Sequence, residues 1–203
     1  MHPLPLEMNQ PRPFEPLCRR WVARLKFPPY RHLPGETPHP RIHPEGHSYG
    51  VTEPLEGRLL SPAAWWENEA YLFGVDLYNY AYWWEAHEQW EGLWRLAGVK
   101  SLCGLYLQGL IQVGAALIKW HQGNRRGASK LASKGCDKLE RVCGVVGGGV
   151  YMGLDLRDFL QRLENLQEVF PTREKSDTMY CNPALMPLIH LVRERGPHFL
   201  ALG

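Results

Sequence analysis

A thirteen-residue segment, residues 83–95, concentrates the side chains that could do chemistry: tryptophans, glutamates, a histidine and an arginine. At a helical pitch, His87 falls in the middle of the tryptophan face, and Glu91 lies beside it one turn further on. Ionisable groups on an apolar face are costly to bury without partners, so the segment predicts either a satisfied core network or a working site. The aromatic side chains that would line such a pocket are Trp83, Trp84, Trp90 and Trp94.

A second polar line lies on the apolar stretch that follows. Gln108, Gln112 and Lys119 share one stripe of a predicted helix that is otherwise apolar or glycine-rich. Two buried helices that each carry one narrow polar line satisfy those lines most cheaply by facing them at each other. We therefore expect one network that contains Glu85, His87, Glu88, Glu91, Arg95, Gln108, Gln112 and Lys119.

In the favoured interpretation this network is structural or lines a Trp-rich pocket that binds a small ligand. Glu91 and Arg95 have the i, i+4 spacing of a helical salt bridge, and His87 would hydrogen-bond a glutamine or a backbone carbonyl. A network of this kind fixes the register of two helices and needs no reaction. No cofactor follows from this interpretation.

The alternative interpretation is a metal-dependent hydrolase. His87 and Glu91 can ligate one divalent ion from a single helix face, and Glu88 could act as the general base. A mononuclear site needs a third protein ligand, for which the chain offers His39, His47 and His121 without diagnostic spacing. The paired Glu-x-x-His motifs of di-iron bundles are absent from the sequence. Whether the protein is an enzyme is therefore left open.

Composition sets limits on location and partners. The 203 residues have a net charge of +2, and the five cysteines include no CxxC pair. Reduced thiols, together with an amino terminus unlike a signal peptide, predict a cytoplasmic protein. The stretch from Leu102 to Ile118 is nearly long enough to span a membrane, but its central glutamines and its glycines favour a buried helix. We expect no membrane span.

A further alternative is an interaction module that uses the basic fourth helix. Its lysines and arginines can track a phosphate backbone, but no aromatic platform interleaves them, which disfavours nucleic acid as the partner. A homo-oligomer is left open. The basic side chains of this helix are Arg125, Arg126, Lys130, Lys134, Lys138 and Arg141.

The chain divides into three parts by composition. Residues 1–60 form an arm rich in Pro, Gly and His that we expect to pack on the bundle, 61–170 form a helical bundle domain, and 171–203 form a carboxy-terminal extension. The fold prediction is an all-α antiparallel bundle of about five helices, without strands, behind an extended arm. The predicted helices run from Ser61 to about Tyr78, about Tyr82 to Leu96, Ser101 to Gln122, Asn124 to about Val142, and Leu154 to Phe170, which Pro171 stops.

Two ordered blocks of residues resemble a known family. The run Tyr-Asn-Tyr-Ala-Tyr-Trp-Trp-Glu-Ala-His-Glu at 78–88, followed by Glu91 and Trp94-Arg95, resembles FNxGxYFEAHExxExxWR of domain-of-unknown-function family number 309. The second block matches at 107–112, 115–117 and 123–128. The resemblance implies a small all-helical domain without an established activity. Its motif positions are Glu85, His87, Glu88, Glu91, Trp94, Arg95, Gln108, Gln112 and Asn124.

One position departs from the family pattern. Ala81 stands where the family has a glycine in the turn before the motif helix. Because alanine resists the left-handed conformation that often closes a helix, we expect Asn79 to adopt it instead.

Overall fold

The computed structural model describes residues 19–51, 60–169 and 186–193. The all-α prediction is confirmed, since α-helices account for most of the described chain. Cys18, Cys181 and the helix stop expected at Pro171 lie outside the described residues. The five α-helices are α1 Glu69–Asn79, α2 Trp83–Ala97, α3 Leu102–His121, α4 Arg125–Val145 and α5 Leu156–Val169.

The first helix begins later than its sequence signals predict. Pro62–Glu67 forms a 3-10 helix that departs from helical geometry at Ala64, and the Ser61 side chain makes no capping hydrogen bond. The chain then caps again at Asn68, whose side chain accepts a hydrogen bond from the Tyr71 amide at 2.9 Å. Asn68 is the stronger N-cap because its side-chain oxygen, Oδ1, accepts from an amide that the helix itself leaves unpaired. The prediction of one continuous helix from Ser61 was wrong.

The turn between α1 and α2 reverses the expected roles of two residues. Ala81 itself adopts the left-handed conformation, with φ +66°, and Asn79 stays in the last turn of α1. The Asn79 side chain is committed elsewhere: it donates to the Ile189 carbonyl and accepts from the Ile189 amide, both at 2.9 Å. The expectation for Asn79 was therefore wrong, because a contact 110 residues away along the chain holds this side chain in the helix.

The ends of α2, α3 and α4 follow local signals. Gly98, with φ +84°, follows the last residue of α2. Ser101 caps α3 through the Gly104 amide at 2.9 Å, and Asn124 caps α4 through the Gly127 amide at 2.8 Å. Short connections bring successive helices together, so that α2 packs on α1 and α3, and α4 packs on α3 and α5.

Of the described helices, α3 is the one long and apolar enough to cross a membrane by length and composition. Its most apolar window is 61% buried inside the protein. The flanking helices α2 and α4 pack on α3 and supply that burial.

A two-stranded hairpin precedes α5 and corrects the prediction that the chain has no strands. Strand β1, Val150–Tyr151, pairs antiparallel with β2, Leu154–Asp155. Met152 and Gly153 join them with φ +48° and +83°, the positive values that a tight two-residue hairpin turn requires. Tyr71 stabilises the turn by donating its hydroxyl hydrogen to the Met152 carbonyl at 3.0 Å. The helix expected from Leu154 therefore begins at Leu156.

The contact between α1 and α2 gives a direct test of the packing. A Cβ atom at Gly74 would overlap the indole of Trp90, which is fully buried and donates to the Tyr71 carbonyl at 3.3 Å. We expect Gly74→Ala to lower the free energy of unfolding by about 1–3 kcal/mol, because the added methyl group would overpack the core at Trp90. Urea unfolding followed by tryptophan fluorescence measures the change.

Gly92, on α2, is the matched control because a Cβ at this position meets open space. Gly92→Ala should raise stability by about 0.5–1 kcal/mol through helix propensity alone. Similar effects of the two substitutions would contradict the close approach of α1 and α2.

Candidate functional site

The most buried carboxylate of the motif, Glu85, holds the arm on α2. The residue is 5% exposed, and its Oε1 accepts a hydrogen bond from the His32 amide at 2.7 Å. The His47 imidazole donates to the same oxygen through Nε2 at 3.2 Å. Two arm residues thus replace the water that Oε1 loses on burial, whereas Oε2 is buried without a hydrogen-bond partner among the described residues.

A second buried carboxylate, Asp76 on α1, holds the arm in the same way. Asp76 Oδ1 accepts from the Trp21 amide at 2.7 Å, and Oδ2 accepts from the Val22 amide at 2.8 Å. Burial raises the pKa of Asp76, while these two amides and the nearby Arg20 oppose that shift. No sequence motif singles out Asp76, whose role depends on a segment more than fifty residues upstream.

The arm packs against α2 through histidines. His32 is buried, and its ring lies edge-on to Trp84 at 5.3 Å between centroids, with the ring of His39 5.5 Å from the same indole. Burial, together with the nearby His39 and His47, lowers the pKa of His32 to about 4. The neutral imidazole is therefore the form that the docked arm accommodates.

Tyr30 fixes the position of His47. Its hydroxyl donates to the Pro38 carbonyl at 3.0 Å and accepts from the His47 amide at 3.2 Å. Its ring also contacts the His47 imidazole edge-on at 4.8 Å. The turn of the arm is closed by these contacts, and the imidazole is directed onto Glu85.

The polar line of α3 also reaches the arm, through a residue that the sequence interpretation left out. Lys119 Nζ donates to Gln122 Oε1 at 3.0 Å, and Gln122 Nε2 donates to the Pro34 carbonyl at 2.9 Å. Within the described part of the chain, Gln112 Oε1 is buried without a hydrogen-bond partner. The predicted Asn124 serves as the cap of α4.

The exposed end of the motif brings three potential ligands together. One ligand atom each from His87, Glu88 and Glu91 lies within 4.8 Å of the other two. His87 Nε2 is 3.8 Å from Glu91 Oε2, and the two side chains are 32% and 29% exposed. These residues occupy i, i+1 and i+4 on α2, so one helical turn positions the cluster at the edge of the docked arm.

Each carboxylate of this cluster has a guanidinium partner. Glu88 Oε2 pairs with Arg41 Nε of the arm at 2.9 Å. Glu91 Oε1 accepts from the guanidinium of Arg95 at 2.7 Å, which is the i, i+4 pair that the spacing predicts. Arg41 did not stand out in the sequence, because nothing local indicates which α2 residue it meets.

The three histidines considered as a third metal ligand lie elsewhere. His47 contacts Glu85, and His39 packs on Trp84. His121 Nε2 pairs with Glu36 Oε1 at 3.4 Å, and burial lowers the pKa of this imidazole despite the carboxylate. The third potential ligand beside His87 and Glu91 is Glu88.

The motif tryptophans take several separate positions in the structure. Trp90 fills the contact between α1 and α2, whereas Trp83 is buried near His121 at 6.5 Å between ring centroids. Trp84 supports the arm histidines. Trp94 is partly buried, and its Nε1 has no hydrogen-bond partner among the described residues.

The described segment from α1 to the first turns of α4 also matches a family model. Residues 71–131 match the family model described as Domain of unknown function (DUF309). The resemblance inferred from the sequence is thereby confirmed for this segment. The DUF309 match contains α2 and α3 with His87, Glu88 and Glu91, but the arm that contacts them lies outside it. Searches of curated proteins and of solved structures find no match to the chain.

Two positions on α2 separate the buried part of the motif from its exposed part. We expect Glu85→Ala to lower the free energy of unfolding by about 1–3 kcal/mol, because it leaves the buried His32 amide and the His47 imidazole without their acceptor. His87→Ala should change it by no more than about 0.5 kcal/mol, because the imidazole is partly solvated. Urea unfolding of both variants measures the difference.

Glu85→Gln is the control, since its amide oxygen can still accept from His32. It should retain more stability than Glu85→Ala. Equal losses for the alanine substitutions of Glu85 and His87 would contradict the division of the motif into a buried and an exposed part.

Proposed function

We propose that this protein binds a divalent metal ion on α2 through His87, Glu88 and Glu91. The single observation that carries the proposal is the approach of one imidazole nitrogen and two carboxylate oxygens within 4.8 Å of one another. The imidazole distinguishes this group from an ordinary exposed acidic patch. The site lies wholly within the segment that matches the family.

The donor set and its spacing support a metal of intermediate hardness. Imidazole together with carboxylate oxygens suits Zn²⁺ or Mn²⁺, whereas Ca²⁺ and Mg²⁺ favour oxygen ligands alone. Metal–ligand bonds of about 2.0–2.2 Å place ligand atoms about 3–3.5 Å apart. The His87–Glu91 separation of 3.8 Å is close to that range, so a small side-chain rotation would bring this pair to ligand spacing.

The contacts of Glu88 favour metal binding over hydrolysis that uses Glu88 as the base. Arg41 Nε lies 2.9 Å from Glu88 Oε2. A guanidinium at this distance stabilises the charged carboxylate, which makes Glu88 a weak proton acceptor. We therefore assign Glu88 as a ligand, and Glu85 to the buried structural network that holds the arm.

The cytoplasmic location belongs to the same proposal. Cys103, Cys136 and Cys143 are free thiols, and burial raises the pKa of Cys103 to about 11. Free, weakly acidic thiols fit a reducing compartment. The basic face of α4 as a docking surface, and a homo-oligomer, stay predictions of the sequence.

Titration calorimetry with Zn²⁺ and Mn²⁺, after removal of bound metal with a chelator, tests the site. We expect one ion per chain in the wild-type protein. His87→Ala and Glu91→Gln should each weaken binding by at least about tenfold, because each removes a ligand. His43→Ala is the matched control, as His43 is an exposed arm residue whose Nδ1 accepts from the Glu45 amide.

Wild-type protein that binds neither ion would overturn the proposed function. Binding that survives His87→Ala unchanged would also overturn it, since the ion would then lie elsewhere. Circular dichroism of each variant confirms that the fold is retained.

A further inference from the structure

The proposed metal site has a guanidinium on each side. Arg41 approaches Glu88 from the arm, and Arg95 approaches Glu91 from the next turn of α2, at 2.9 and 2.7 Å. Two cations from different parts of the chain thus converge on the two carboxylates of one ligand set.

Metal binding would change the net charge of this group of side chains. Two carboxylates and two guanidiniums sum to zero when the imidazole is neutral, which is the form that can ligate a metal. A divalent ion would bring the sum over these side chains to +2, at a site whose ligand side chains are 20–32% exposed. An uncompensated double charge is unfavourable where water is partly excluded. A dianion bound beside the metal would restore neutrality.

We infer that the metal-loaded site takes a dianionic oxyanion of the phosphate class, an inference that rests on the proposed function. The metal would bind one oxygen of the anion, and the guanidiniums of Arg41 and Arg95 would donate to the others. Guanidinium forks match the oxygen spacing of phosphate. Both arginine side chains are substantially exposed, 41% for Arg41 and 60% for Arg95, so they can turn from the carboxylates to an anion.

The same residues explain why the metal alone would bind weakly. A guanidinium next to a ligand competes with the metal for the carboxylate and repels the ion. Removal of Arg41 should therefore have opposite effects on two steps: tighter metal binding without the anion, and less gain from the anion. A merely structural role of Arg41 would produce neither effect.

Titration calorimetry of Mn²⁺, with and without inorganic phosphate, tests the inference on the intact chain. In the wild-type protein, phosphate should tighten Mn²⁺ binding by at least about fivefold. Arg41→Gln and Arg95→Gln should bind Mn²⁺ alone more tightly than the wild type, and phosphate should add less than about twofold. A parallel titration with p-nitrophenyl phosphate distinguishes a phosphate monoester from the free anion.

Arg162→Gln is the matched control. Arg162 Nε pairs with Asp158 Oδ2 on α5 at 2.9 Å, the distance of the Arg41–Glu88 pair, and its side chain is 41% exposed, as is that of Arg41. This variant should respond to phosphate as the wild type does.

The outcomes separate the two proposals. Wild-type protein that binds no Mn²⁺ or Zn²⁺ overturns the proposed function. Mn²⁺ binding that is unchanged by phosphate, or enhanced equally in Arg41→Gln, overturns the inference about the anion and leaves the metal site standing.

Discussion

The burial of two carboxylates, Glu85 on α2 and Asp76 on α1, is the constraint on which the arrangement depends. A charged group removed from water is destabilising by several kcal/mol unless donors replace its hydration. Those donors are backbone amides and one imidazole from residues 19–51 of the arm, which reach Asp76 and Glu85 Oε1 only when this segment lies across the helices in one register. The same register brings Arg41 to Glu88. Residues 19–51 of the arm are thus part of the fold of this protein, although they lie outside the segment that matches the family.

One helical motif has a buried part and an exposed part because its polar residues point in different directions. Glu85 faces the arm and is buried, whereas His87, Glu88 and Glu91 lie at its edge, where solvent and ions have access. The buried part holds the partner segment in place, and that segment adds a guanidinium to the exposed part. A metal site needs access as well as rigid support. The division between Glu85 and the group His87, Glu88 and Glu91 would give the proposed site both within two turns of α2.

Features encoded by a few neighbouring residues could be predicted from the sequence. The caps at Ser101 and Asn124 and the stop at Gly98 are local signals, as is the pairing of Glu91 with Arg95. Features that depend on distant contacts could not be predicted in this way. Asn79 stays helical because of Ile189, and Glu85 meets His32 because of how the arm folds back. Periodicity identified a polar line on α2 and another on α3, but both the arm and α3 offered partners for α2, and only the tertiary structure decides between them.

Hydrogen exchange of the arm amides tests most directly whether buried carboxylates hold the arm. The amides of Trp21, Val22 and His32 donate to Asp76 and Glu85 in the structure, although they belong to no helix or strand. These three amides should exchange as slowly as the amides in the middle of α2, because opening them requires the arm to leave the bundle. Exchange at the rate of an unfolded peptide would show that the arm is not held, and would contradict the claim that Asp76 and Glu85 fix its position.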